Sequence, residues 1–357
     1  MRLSDLTQGR DNNFNVIRML AASSVLVSHS FALTTGSGDA EPLKHALGMT
    51  LGDIAVDIFF VASGFLVSAS LLHRRSVIEF TRARFLRIFP ALAVAVLLSV
   101  FALGISLTDT TLGSYFGSRE TTIYLAKNLT LFFGVAYNLP GVFAHNPWRF
   151  SVNGSLWTLP FEVRMYAILA IIWSIVRSLG YSNERLFGAA TIAITILSGS
   201  ALVANNFLHF YGGEFLRLLF MFFSGVTMYS LRSKVELNGY LALALFLVLA
   251  GFGRFDIERF HIVYLLALPY LILYCAYVPS GEIRRYNSLG DYSYGIYIFA
   301  YPLQQTLISI LPGMSPMKVL TLSAPITLVL AILSWHFVEH PALRLKAPHS
   351  TRLQAAN

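Results

Sequence analysis

The sequence predicts an all-α, polytopic integral membrane protein with about ten transmembrane helices and both termini in the cytoplasm. Three observations carry that prediction. The 357-residue chain is 55% hydrophobic and 12% charged, with a mean hydropathy of +0.63, whereas soluble globular proteins carry about 25% charged residues. Its apolar runs are about 17–21 residues long, the length a helix needs to cross about 30 Å of hydrocarbon at about 1.5 Å per residue. Finally, the Lys and Arg residues fall unequally on alternate connections, as the positive-inside rule requires.

The spans are expected near 16–34, 52–72, 88–107, 155–176, 187–204, 215–231, 239–253, 261–278, 291–311 and 319–338, the seventh being the shortest. The runs do not alternate apolar and polar residues, so an outer-membrane β-barrel is excluded. The first run is too long for a signal peptide, is broken by His29, and lacks a small-x-small cleavage pattern. The connection 108–154 contains "TIYLAKNLTLFFGVAY", apolar at helical spacing but carrying Lys127 and Asn128. It is expected to lie in the interface or re-enter; an eleventh span there would invert everything after it. No internal repeat or low-complexity segment is seen. Residues 1–345 form one membrane domain, and 346–357 a short cytoplasmic tail predicted to be disordered.

Counted from an inside N-terminus, 16 of the 26 Lys and Arg lie in cytoplasmic segments, among them Arg10, Arg74, Arg75, Arg82, Arg84, Arg87 and Arg352. Seven lie in the opposite loops, and Arg18, Arg164 and Arg217 lie in or at the edge of spans. The net charge of +8 is thus a topology signal for the inner (cytoplasmic) membrane and its lipids, not a nucleic-acid footprint. The single cysteine, Cys275, gives neither a disulfide framework nor a thiolate metal site, and no metal is expected.

The candidate chemistry lies in the few ionisable residues inside or beside the spans. Such residues cost at least a few kcal/mol and normally face a cavity or a partner. Arg18 and His29 are eleven residues apart, about three turns plus 20°, so they share a helix face at about 16 Å separation. In isolation, the pair is read first as Arg18 snorkelling to the inner headgroups and His29 packing, with a functional pair as the alternative. "RRSVIEFTRARFLRIFP" sets Arg84 and Arg87 at i, i+3 beside Pro90, on a cytoplasmic loop running into the third span. Arginine's planar fork suits phosphate oxygens, although contact with anionic lipids explains Arg74 and Arg75. "VDIFFVASGFLVSA" puts Asp57 in the outer part of the second span and Ser63-Gly64 mid-span, where another backbone or a thin ligand can approach. "SLWTLPFEVRMYAI" places Glu162 about two turns inside its helix. By depth, His29, Asp57 and Glu162 are expected to converge in one outward-facing cavity, a carboxylate orienting the imidazole as in many general bases.

These motifs together resemble the integral-membrane acyltransferase 3 family, which includes O-antigen, exopolysaccharide and nodulation-factor acetylases. "IRMLAASSVLVSH" resembles its Arg-x10-His motif through Arg18 and His29, and "VDIFFVASGFL" its second-helix signature. "RARFLRIFP" is similar to its Arg-x-x-Arg-x-x-Pro motif, and "LWTLPFEVRMY" to its Trp-x-Leu-x-x-Glu-x-x-x-Tyr stretch through Trp157, Leu159, Glu162 and Tyr166. "LGDYSYGIYIFAYP" and "WHFVEHPALRL" resemble the ninth- and tenth-helix signatures. The order of these motifs, along nearly the whole chain, carries the resemblance. One departure is "IFAYP", with Ala300 and Tyr301 where the family often has a histidine.

The resemblance implies a membrane acyltransferase domain that uses acyl-CoA, most often acetyl-CoA, as donor on the cytoplasmic side. The acceptor would be a hydroxyl of a cell-surface or lipid-linked carbohydrate such as a polysaccharide or lipopolysaccharide. It implies catalytic roles for His29 (general base), Glu162 and Asp57, and donor binding by Arg18, Arg84, Arg87, Ser63 and Gly64. Trp157 is expected to stack a sugar or anchor in the aromatic belt, with Tyr166 beside it on the acceptor. Glu339 is expected at the inner end of the last helix, paired with Arg18 or the arginine loop. Some members carry a soluble esterase-like domain after the last helix; without one, transfer is completed in the membrane domain or by a separate soluble partner. The rival classes are a transporter or flippase of a lipid-linked or anionic solute, and a non-catalytic subunit. Against the first, no inverted repeat and no matched pair of interrupted helices is visible.

Overall fold

Each predicted span falls on one long helix of the computed structural model, which describes residues 1–9, 11–74, 76–179, 184–208 and 212–346. In chain order these are α1 (Phe14–Thr35), α2 (Leu51–Arg74), α3 (Val77–Leu98), α4 (Leu159–Ser178) and α5 (Glu184–Leu208). They are followed by α6 (Gly213–Ser230), α7 (Gly239–Phe255), α8 (Ile257–Tyr277), α9 (Ser293–Ile310) and α10 (Pro316–Ser334). Among the described residues there is no strand, only an isolated bridge between Arg2 and Glu236. Seven helical segments are long and apolar enough to cross a membrane by length and composition. The other three are α7, which has 17 residues, and α6 and α9, whose hydropathy is lowered by Glu214 and Arg217 and by Gln304 and Gln305. Arg10, Arg75 and the predicted tail from 347 onward, Arg352 included, lie outside the described residues.

Beside an apolar core, large apolar side chains stand exposed on the helices and several polar ones are buried. Ile196, Leu197, Phe246, Leu247 and Val329 are exposed, while Asp57, Ser68, Gln304, Gln305 and Ser323 are buried. Hydrocarbon covers apolar side chains at no cost, whereas buried polar groups must find partners within the protein. The protein is a multi-pass membrane protein.

The chain divides into two compact units. The first comprises Met1–Ser28, Gly38–His73 and Phe161–Asp291. In it α2 and α6 cross at their glycines: a Cβ on Gly64 would strike the Phe222 carbonyl oxygen, and one on Gly225 the Val61 carbonyl oxygen. Small residues let backbones approach in this way where lipid gives helices no hydrophobic reason to associate. Trp173 of α4 meets Phe187 of α5 edge-on. Asn13 ties the start of α1 to the end of α8, donating to the carbonyls of Cys275 and Pro279.

The second unit comprises His29–Ser37, Arg74–Pro160 and Tyr292–Asn357. Here α3 starts earlier than its hydropathy suggests. Ser76 accepts from the Glu79 amide in a Ser-x-x-Glu capping pattern, so Arg82, Arg84 and Arg87 ride on the helix itself and Pro90 lies within it. That corrects the expected arginine loop: capping chemistry outweighs charge in setting the helix start. Beyond Leu98 the helix widens into a π turn over Ser99–Gly104. Gly104 leaves room there for the Tyr115 ring, and the Tyr115 hydroxyl donates to the Val100 carbonyl at 3.0 Å. The segment around Lys127 forms a 12-residue helix, Arg119–Thr130, ended by Leu131 at φ 56. Twelve residues rise only about 18 Å, too little to span, so no eleventh span is formed there.

Candidate functional site

In the first unit Arg18 and Asp57 are engaged by partners distant in sequence. Arg18 of α1 pairs with Asp291 at 2.8 Å, with only 22% and 10% of their side chains exposed. Asp57, fully buried in α2, accepts a hydrogen bond from the Tyr264 hydroxyl at 3.0 Å and lies 3.6 Å from the Arg217 guanidinium. Arg217 also reaches Asp53 at 3.7 Å and Glu214 at 2.8 Å. A buried carboxylate requires such compensation, because desolvating it alone costs several kcal/mol. The Asp57 Oδ1 and the Arg217 Nε are nevertheless buried without a hydrogen-bond partner. Glu162 accepts from the Tyr166 hydroxyl one turn along α4, so that tyrosine serves the carboxylate of its own motif. The space before Gly64 is filled by the Phe222 backbone: of the two approaches its glycine allows, another backbone has taken it. Ser63 is half-buried beside it.

In the second unit His29 is half-buried near the end of α1. Its ring sits edge-to-face with Tyr301 of α9, centroids 5.0 Å apart and planes at 83°. The His29 Nδ1 is buried and has no hydrogen-bond partner. The Tyr301 hydroxyl donates to Ser151 Oγ at 2.9 Å. Tyr301 is one rung of a ladder that fastens the segment 146–158 along α9. Gln305 donates to the carbonyls of Trp148 and Ser151 and pairs with Asn146. Asn153 donates to the Ile298 carbonyl, and the Tyr297 hydroxyl lies 2.6 Å from Thr158 Oγ1. Residues 297, 301 and 305 repeat every four positions and so share one helix face. Trp157 rides in the 3-10 turn Gly154–Thr158 that this ladder secures.

The arginine pair of α3 divides. Arg84 is half-buried. Arg87 pairs at 3.5 Å with Glu339, which is 2% exposed and also accepts from Ser334. The arginine of α3 is thus an observed partner of Glu339. The Arg87 guanidinium also stands 5.8 Å from the centroid of Tyr294, whose hydroxyl donates to the Ile88 carbonyl. Among the described residues, no group of three or more His, Cys, Asp and Glu side chains could hold a metal ion.

Sequence reasoning missed Asp291, Arg217, Tyr264 and Ser151. Asp291 stood inside a recognised motif, and Arg217 was visible as an arginine at the edge of a span. Tyr264 and Ser151 left no signal, being one tyrosine and one serine among many.

A family model described as an acyltransferase domain matches residues 11–336, a range that takes in all ten long helices and both units. The chain belongs to the acyltransferase 3 family. It is similar to an O-acetyl transferase of Shigella phage Sf6, with 31% identity over 95% of this chain and 98% of that protein. It is also similar to nodulation protein 10 of Rhizobium leguminosarum bv. viciae, with 28% identity over 95% of each. No solved structure matches it. As a member of the acyltransferase 3 family the protein is an acyltransferase, and its buried ionisable residues belong to a membrane enzyme.

Proposed function

We propose that this acyltransferase moves an acetyl group from acetyl-CoA to a hydroxyl of a cell-surface or lipid-linked carbohydrate, with His29 as the general base. The observation that carries the reading is the His29 imidazole. Its Nδ1 is buried and meets no hydrogen-bonding group of the protein, so Nε2 is the nitrogen assigned to meet the acceptor hydroxyl. A sugar hydroxyl is too weak an acid to attack a thioester unaided at neutral pH, and an imidazole of ordinary pKa about 6.5 takes its proton without being permanently protonated. In the proposed step His29 removes the hydroxyl proton as the oxygen bonds to the thioester carbonyl carbon. The C–S bond then breaks, and the proton passes to the departing CoA thiolate. The name of one relative, an O-acetyl transferase, supports the acetyl group and the oxygen acceptor.

Arg18, Arg84 and Arg87 are each assigned to the donor's phosphates. Arg18 and Arg87 are each paired with a carboxylate, so a phosphate must compete with Asp291 or Glu339 for those guanidinium groups. Glu162 and Trp157 are assigned to the acceptor side, Tyr166 holding the Glu162 carboxylate. Asp57 is assigned to holding α2, α6 and α8 together through Arg217 and Tyr264.

The test is mass spectrometry of surface glycans from cells with and without this chain, together with labelled acetyl-CoA supplied to membranes that contain it. Loss of an acetyl group from a glycan when the chain is removed, and its return with wild type but not His29→Gln, is the expected result. Absence of acetyl transfer with retained solute flux would overturn it in favour of a transporter.

A further inference from the structure

We infer that Tyr301 is the positioning residue for the His29 imidazole, an inference that rests on the reading of His29 as the base. A base that works by proton transfer must be held within about 0.5 Å and 10–20° of its productive pose. The usual device is a carboxylate or carbonyl on the far ring nitrogen. At His29 that device is missing from the Nδ1 side, because Nδ1 is buried with no hydrogen-bond partner. The Tyr301 ring instead meets the imidazole edge-to-face at 5.0 Å and 83°, a geometry aromatic rings prefer.

Tyr301 is itself fixed on two sides. Its hydroxyl is anchored on Ser151 Oγ at 2.9 Å. Its ring lies against Gly154, where a Cβ would stand 2.5 Å from ring Cε2 and 2.7 Å from Cζ. Gly154 therefore has a specific task, since any larger residue there would push the ring and with it the imidazole. Gln305, one turn along α9, donates to the Ser151 carbonyl and holds that anchor in place. The four residues form a mount in which the ring touches the imidazole and the hydroxyl fixes the ring.

The experiment measures acetyl transfer from labelled acetyl-CoA into glycan in membranes carrying wild type, Tyr301→Phe, Tyr301→Leu, Gly154→Ala, His29→Gln and the His29→Gln/Tyr301→Leu double variant. Tyr301→Phe keeps the ring and loses one hydrogen bond, so its rate should stay within about fivefold of wild type. Tyr301→Leu and Gly154→Ala should lower the maximal rate about 10- to 100-fold with the KM for acetyl-CoA unchanged. In the double variant Tyr301→Leu should add no further loss, because there is no longer a base to position.

Three results would overturn the inference while leaving the role of His29 standing. They are near-normal transfer by Tyr301→Leu beside an inactive His29→Gln, an equal loss for Phe and Leu at 301, or a full additive loss in the double variant. Transfer by His29→Gln at the wild-type rate would instead overturn the proposed function itself. Should Tyr301→Leu not accumulate, Gly154→Ala and Ser151→Ala make the same comparison, with the glycine variant expected to be the slower.

Discussion

Asp57 and His29 are both ionisable residues set inside apolar helices, and the structure treats them differently. Asp57 is ringed by compensation: Tyr264 donates to it, Arg217 neutralises it, and Asp53 and Glu214 hold the other side of that guanidinium. His29 has an aromatic neighbour and an Nδ1 with no partner. The partners of Asp57 come from two other helices, α6 and α8, so its contacts serve cohesion. His29 is met instead by the Tyr301 ring. On the proposed reading the carboxylate serves structure and the imidazole chemistry, although both drew attention for the same reason, an ionisable side chain in hydrocarbon.

The largest expected effect falls on His29. His29→Gln keeps a hydrogen-bonding shape that cannot take a proton, and acetylation should drop by about 10²–10⁴-fold with membrane insertion and acyl-CoA binding retained. A quantitative glycan acetylation assay beside donor binding measures both. Near-normal acetylation would erase the contrast and return the base to Asp57 or Glu162.

Asp57→Asn should act on stability instead. It leaves Arg217 without its most buried counter-charge, and the loss should be about 2–3 kcal/mol, short of the 3–5 typical of breaking a fully buried pair because Asp53 and Glu214 remain. The Asp57→Asn/Arg217→Met double variant removes both charges and should recover much of that loss. Thermal unfolding in detergent reads both variants. A drop in turnover as large as that of His29→Gln, at unchanged stability, would break the comparison from the other side.

Arg84 and Arg87 sharpen it at the donor end. Arg84→Ala should weaken acyl-CoA binding about tenfold, the scale of one charge-assisted hydrogen bond, while binding of a short thioester lacking the nucleotide is unaffected. Arg87→Ala should do the same and also lower the unfolding temperature, because it strips the guanidinium from buried Glu339. Equal losses for both donors would remove the phosphate assignment. The smallest effect is expected for Tyr166→Phe, which deletes the hydrogen bond to Glu162 and should slow turnover only about fivefold, near 1 kcal/mol.

The positions of the helices were legible in the sequence because a helix that crosses a bilayer is specified locally, by about 20 apolar residues and the caps at its ends. The family was legible for a similar reason, since Arg18, His29, Glu162 and Glu339 stand in short motifs read in order along the chain. Even locally there were misreadings: the Ser76 cap moved the start of α3 ahead of its arginines, and the left-handed Leu131 stopped the 119–130 helix early. What the sequence could not state was which buried group answers which. Arg18 and Asp291 are 273 positions apart, and Asp57 and Tyr264 are 207 apart. His29 and Tyr301 are likewise brought together only by packing. Local composition says that a charge in hydrocarbon must have a partner; only the helix packing chooses the partner, because that choice depends on which faces meet and at what depth. Hydropathy therefore determined that this chain is a helical membrane protein, and tertiary structure alone decided that Asp57 is bound by an arginine and a tyrosine while the Nδ1 of His29 is left with no partner at all.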